Sequence, residues 1–127
     1  FYLFVKSSPN PDNLLLLVSD HVNGKFERVE GFDDSMGAQT KGMYEAPTAV
    51  KIADGRWCLF ADFYGAGCAG QGYVPFVSDD LTKGVFTRAD EAFHFPYGFK
   101  HGTILPITEE EYERMLARDW TDVPDLR

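Results

Sequence analysis

An all-β fold follows from three features of the sequence. Runs of aromatic and β-branched residues recur, each bounded by Gly, Pro, Asn or Asp, as strands and their turns are. Aromatic residues make up 15% of the chain, with eleven Phe, six Tyr and two Trp, and such side chains suit a pleated, half-buried surface. One set of runs also echoes another later in the chain.

The elements follow in order. "FYLFVK" (1–6) is a strand, closed by the turn "SSPNPDN". "LLLLVSD" (14–20) and "KFERVE" (25–30) flank the turn at Asn23-Gly24. A glycine-bearing loop leads to "APTAVKIA" (46–53), and Asp54-Gly55 is a strong hairpin signal before "RWCLFADFY" (56–64). A glycine-rich loop (65–72) precedes "YVPFVSD" (73–79) and "VFTRAD" (85–90). Pro75 removes a ladder donor, so a bulge or an exposed edge is expected there. "TEEEYERMLARDW" (108–120) opens with Thr108 and has Glu111 three residues on, a capping box. Tyr112, Met115 and Leu116 share one face at helical spacing, which predicts a short amphipathic helix packed over the rest of the fold.

The echo sets the architecture. Phe1 aligns with Trp57, Val18-Ser19-Asp20 with Val77-Ser78-Asp79, and Phe26 with Phe86, at offsets of 56, 59 and 60 residues. About four short strands per such period is the pattern of β-propeller blades. A blade must pack against its neighbours, which explains strands that are apolar nearly throughout. Residues 1–30 read as a partial blade, 45–90 as a complete one, and "HGTILPI" (101–107) as the inner strand of the next. Ser19-Asp20 and Ser78-Asp79-Asp80 recur at one point of the period and read as turn-makers.

Composition narrows the function. The 127 residues suffice for one domain, and 44% hydrophobic content supports a core. A net charge of −8 argues against a nucleic-acid partner. No apolar run reaches the ~18 residues of a membrane helix. Cys58 and Cys68 form no CxxC pair and have no matching histidines, so zinc is not indicated. Cys58 reads as a small core residue, with a disulfide to Cys68 as the alternative. "FYLFVK" is neither a start methionine nor a signal peptide, so the chain is expected to begin in mid-strand after a missing N-terminal part. Localisation, extracellular or cytoplasmic, is therefore left open.

Propellers gather functional groups on inner strands around a central channel. Glu45 stands before Ala-Pro at one strand mouth, and His101 opens the next inner segment, so both are expected to face the same axis. Asp62 interrupts "CLFADFY"; it reads as a cap of the following loop, or as a substrate contact. His21 and His94 lie in polar, turn-like surroundings and carry no expected role.

"YEAPTAVKIADGRWCLFADFYGAG", "YVPFVSDDLTKGVFTRAD" and above all "FKHGTILPITEEEYERML" resemble the C-terminal part of glycoside hydrolase family 43. The resemblance implies a partial five-bladed propeller and an inverting enzyme acting on arabinan- and xylan-type plant polysaccharides. It matches Glu45 to the general acid of the E-(G/A)-P motif. It matches His101 to a histidine near the channel that in some members helps hold a metal ion, so calcium or another cation is expected near His101, with no cofactor required. His101, Asp62, Tyr64 and Phe99 are the candidate substrate contacts, and Tyr44, Phe63, Tyr64 and Phe99 candidate sugar-stacking surfaces. Inverting glycosidases pair a protonated carboxyl with a water-activating carboxylate ~6.5–9.5 Å away. A channel-mouth Glu45 near other carboxylates is expected to have a raised pKa. The family's general base and its pKa-tuning aspartate lie upstream of residue 1, so this chain alone is expected to be inactive. A non-catalytic segment that binds carbohydrate or protein is the alternative, and self-association through open blade edges a further expectation.

Overall fold

A computed structural model of the protein describes residues 1–7, 14–39, 43–64, 72–96 and 98–119. Among the described residues, seven strands form two antiparallel sheets. The first sheet orders β1 (Tyr2–Lys6), β2 (Leu14–Val18) and β3 (Glu27–Arg28) side by side. The second orders β4 (Met43–Lys51), β5 (Trp57–Tyr64), β6 (Gly72–Ser78) and β7 (Thr87–Arg88). Both are antiparallel meanders of the kind found in propeller blades, although the described residues close no propeller.

The repeat has a physical counterpart in the turns. Ser19 Oγ accepts from the His21 N–H at 3.3 Å, and Ser78 Oγ accepts from the Asp80 N–H at 3.3 Å. Each serine bonds the backbone two residues on, as expected of a turn-maker. The second turn continues into a 3-10 turn, Leu81–Lys83, capped by Asp80 Oδ1, which accepts from the Thr82 N–H at 2.9 Å.

Two faces of the second sheet carry two cores. Along β5, Leu59 and Ala61 point one way, while Cys58 and Phe60 point the other. The first face joins the two sheets: Leu14 and Leu16 meet Tyr44, Leu59, Val74 and Phe76. Phe4, Phe32 and Phe86 close this core edge-to-face, with ring centroids 5.5–5.9 Å apart. The second face holds Cys58, Phe60 and Tyr73 under Phe93, Phe95 and Ile104. Burial pushes the Cys58 thiol up to about 12, as suits an inert core residue. Cys58 is free, and Cys68 lies outside the described residues.

The structure departs from the sequence reading at four places. The glycine-bearing loop contains a helix, α1 (Phe32–Gln39), which buries Phe32 and Met36, four residues apart, on one face. Its sequence is polar and carries Gly37, so tertiary burial rather than propensity holds it. Residues 101–107, expected as an inner strand, pair with no strand among the described residues. The C-terminal helix α2 (Glu109–Ala117) has the expected capping box at Thr108 and Glu111, but buries no residue. Tyr112, Met115 and Leu116, on its apolar face, are all exposed. Pro75 needs no bulge. Its carbonyl accepts from the Ala89 N–H at 3.0 Å, so its missing donor faces the β7 side, where that two-residue strand ends.

Gly84 ends the 3-10 turn with φ +66°, and a Cβ there would lie 2.7 Å from Phe32 N and 2.9 Å from Glu30 O. The α1 start and this turn are therefore packed backbone to backbone. Gly84→Ala is expected to cost at least ~2 kcal/mol, from left-handed strain plus overpacking, read as a lowered urea midpoint.

Candidate functional site

The β4–β5 hairpin turns at Asp54-Gly55, where Asp54 Oδ1 accepts from the Arg56 N–H at 3.0 Å and Gly55 has φ +90°. Pairing then runs Lys51↔Trp57, Val50↔Cys58, Ala49↔Leu59 and Thr48↔Phe60. Each pair sums to 108. Continued unchanged, that register sets Glu45 opposite Phe63, on the face of the main core. It does not continue. A bulge between Glu45 and Thr48 shifts the pairing by one, and Glu45 stands opposite Asp62. A one-residue shift moves a side chain to the other face of the sheet. Ala46 carries the bulge with φ +45°, a left-handed conformation that strains a residue with a Cβ. Pro47 follows and lacks the N–H that the broken ladder leaves without a place.

Two carboxyl groups directly opposite on adjacent strands repel each other. Two basic side chains from distant parts of the chain meet them. Lys6 Nζ, on β1, donates to Glu45 Oε2 at 2.9 Å and lies 4.4 Å from the centre of the Tyr64 ring. His101 comes from the segment that covers the second core. Its backbone N–H donates to Asp62 Oδ2 at 2.9 Å, and its ring Nδ1 lies 2.6 Å from the same oxygen. Its Nε2 lies 3.8 Å from Glu45 Oε1. His101 also has φ +51°, so two non-glycine residues in left-handed conformations flank this one cluster.

Exposure separates the roles. Asp62 is fully buried, 0% exposed, with Oδ2 against both the backbone N–H and the ring of His101. Its Oδ1 has no hydrogen-bond partner among the described residues. The Glu45 side chain is 24% exposed and that of His101 59%, so both reach solvent. Phe99 is 41% exposed, with its ring stacked on Phe95 at 5.8 Å and tilted against Tyr73 at 5.6 Å. Tyr64 is half-buried, and the Lys6 ammonium lies over its ring. Tyr44 is 3% exposed, packed against Phe63 and Phe76 in the main core, and presents no surface to a sugar. Phe63 packs against the same core.

One electrostatic expectation is overturned. The Lys6 hydrogen bond holds the Glu45 carboxyl below its ordinary range, opposed by partial burial and aided by the charges of Lys6, His101 and Lys100. Nothing in the local sequence announces Lys6, which stands 39 residues away. A carboxyl whose folded-state pKa is lowered stabilises the fold above its ordinary range, and that contribution is lost as pH falls through the lowered value.

A cation near His101 would compete for side chains that are already engaged. Nδ1 is engaged by Asp62, and Nε2 faces a carboxylate already paired with an ammonium. Among the described residues no three His, Cys, Asp or Glu side chains converge to hold a metal.

The arrangement is an acid–base cluster on an all-β scaffold: one solvent-reaching carboxyl, one imidazole beside it, and a buried carboxyl behind. A family model described as a probable glycosyl hydrolase domain, related to glycoside hydrolase family 43, matches residues 1–113, and the chain belongs to that family. No curated protein and no solved structure matches it. No helix among the described residues is long and apolar enough to cross a membrane.

Proposed function

We propose that the chain is the acid-bearing part of an inverting glycosidase, with Glu45 as proton donor to the departing sugar oxygen. The supporting observation is the bulge at Ala46-Pro47, which turns Glu45 from the core face to the solvent-reaching side beside His101. A strained conformation of this kind persists only where the surrounding structure holds it, and such residues cluster at functional sites. The water-activating carboxylate is assigned, on the family resemblance, to sequence upstream of Phe1. The Lys6 ion pair keeps Glu45 a carboxylate in this chain, so acid action requires an added anionic neighbour or substrate to offset Lys6. Arabinose- and xylose-containing plant polysaccharides are the substrate class, and Phe99 offers an aromatic edge for a sugar ring.

The same ion pair favours a second reading, a carbohydrate-binding segment in which Glu45 stays charged and accepts hydrogen bonds from sugar hydroxyls. Aryl-arabinofuranoside and aryl-xyloside hydrolysis separates the two. The 127 residues alone are expected to release no aryl group, and the same residues joined to the upstream sequence to do so. Sugar binding without hydrolysis by the joined protein selects the second reading.

A further inference from the structure

The two oxygens of Glu45 are not equivalent. Oε2 accepts from Lys6, so a proton on this carboxyl belongs on Oε1, the oxygen 3.8 Å from His101 Nε2. The state of that imidazole then decides what Glu45 meets. Asp62 Oδ2 already accepts from the His101 backbone N–H at 2.9 Å. The ring nitrogen 2.6 Å from the same oxygen is therefore a donor, Nδ1–H. A neutral imidazole protonated at Nδ1 has a lone pair at Nε2. Asp62 is fully buried and bound to both the backbone and the ring of a residue with φ +51°. It fixes the position of His101 as well as its tautomer. Its second oxygen has no partner among the described residues, a cost to the fold that packing alone does not explain.

We propose that Asp62 is a positioning residue: it locks His101 as the Nδ1–H tautomer, so that the Nε2 lone pair accepts a hydrogen bond from Glu45 Oε1–H and holds that group in place until the hydrogen bond breaks and the proton passes from Oε1 to the departing sugar oxygen, leaving Glu45 a carboxylate. This rests on the reading of Glu45 as proton donor. The 3.8 Å separation shortens to hydrogen-bond length when Oε1 is protonated; such contacts are commonly long in unliganded sites. The charged and titratable groups around Glu45 are Lys6 from β1, Asp62 and Tyr64 from β5, and Lys100 and His101 from the covering segment.

The test is nitrogen-15 NMR of the imidazoles at mildly alkaline pH, with His101 assigned by its loss in His101→Gln. The expected spectrum shows His101 protonated at Nδ1 and bare at Nε2. In Asp62→Asn the amide group can donate to Nδ1, and the tautomer is expected to switch to Nε2–H. In the protein joined to its upstream sequence, that switch is expected to lower kcat about 10²-fold or more with KM little changed. A wild-type His101 carrying a proton on Nε2, as the other tautomer or as imidazolium, overturns the proposal even if Asp62→Asn does not fold. An unchanged tautomer in a folded Asp62→Asn also overturns it. The expected tautomer with no hydrolysis by the joined protein keeps the Asp62–His101 lock and removes the glycosidase reading instead.

Discussion

Glu45→Gln is expected to lower hydrolysis of an aryl glycoside by the joined protein about 10²–10⁴-fold, the range for loss of a positioned proton donor. The amide keeps the shape of the carboxyl but cannot give up a proton to a leaving oxygen. The loss should fall on kcat and kcat/KM together, because the missing interaction exists only in the transition state. The unfolding midpoint should stay close to wild type, since Glu45 is part-exposed and its pairing with Lys6 is a surface contact. Steady-state rates and a urea melt on one preparation check both halves. A rate within twofold of wild type removes Glu45 from the chemistry.

The second large effect is on stability. Phe86→Ala is expected to cost about 3–5 kcal/mol, measured by urea denaturation. Phe86 is 1% exposed and meets Phe4 and Phe32 edge-to-face at 5.9 and 5.5 Å. Those rings belong to β1 and the start of α1, so Phe86 ties the second sheet to the first sheet and to the helix. The Phe86 backbone N–H also donates to Ser35 Oγ at 2.8 Å, and the Ser35 hydroxyl donates to the Phe86 carbonyl at 2.9 Å. The cavity would therefore open at a junction held in place by its backbone, with little freedom to collapse. Val85→Ala, one residue away and 56% exposed, should stay within about 0.5 kcal/mol of wild type.

Local signals in the sequence were legible where a local interaction forms the structure. The Asp54-Gly55 hairpin, the repeated serine turns and the Thr108–Glu111 capping box each involve residues at most a few positions apart. The strands on either side of the hairpin carry apolar runs that only a sheet covered on both faces explains, and both faces of β5 are buried. Helix α1 was not legible because its amphipathic signal reduces to two residues, Phe32 and Met36, within a polar stretch. The acidic pair Asp33-Asp34 in its first turn was the one available hint.

Glu45 and His101 stood out in the sequence as residues at strand mouths, and the structure brings them to 3.8 Å. How they meet was not legible. The hairpin register alone predicts the wrong face for Glu45; only a bulge at Ala46-Pro47 corrects it, and Ala is not a residue that advertises a positive φ. An alternating pattern along β5 places Asp62 with Cys58 and Phe60, on the face that His101 covers, but nothing in the pattern says what covers it. Lys6 reverses the expected electrostatics of Glu45 from another sheet altogether. Long-range charge placement of this kind depends on how the two sheets pack.

The most direct measurement is a double-mutant cycle on hydrolysis by the joined protein, with Glu45→Gln, His101→Gln and the two combined. If the two side chains act as one unit, His101→Gln costs rate in the wild type and almost nothing further once Glu45 is gone. Losses that simply multiply would mean that carboxyl and imidazole work apart, and would contradict a single site at the Ala46-Pro47 bulge.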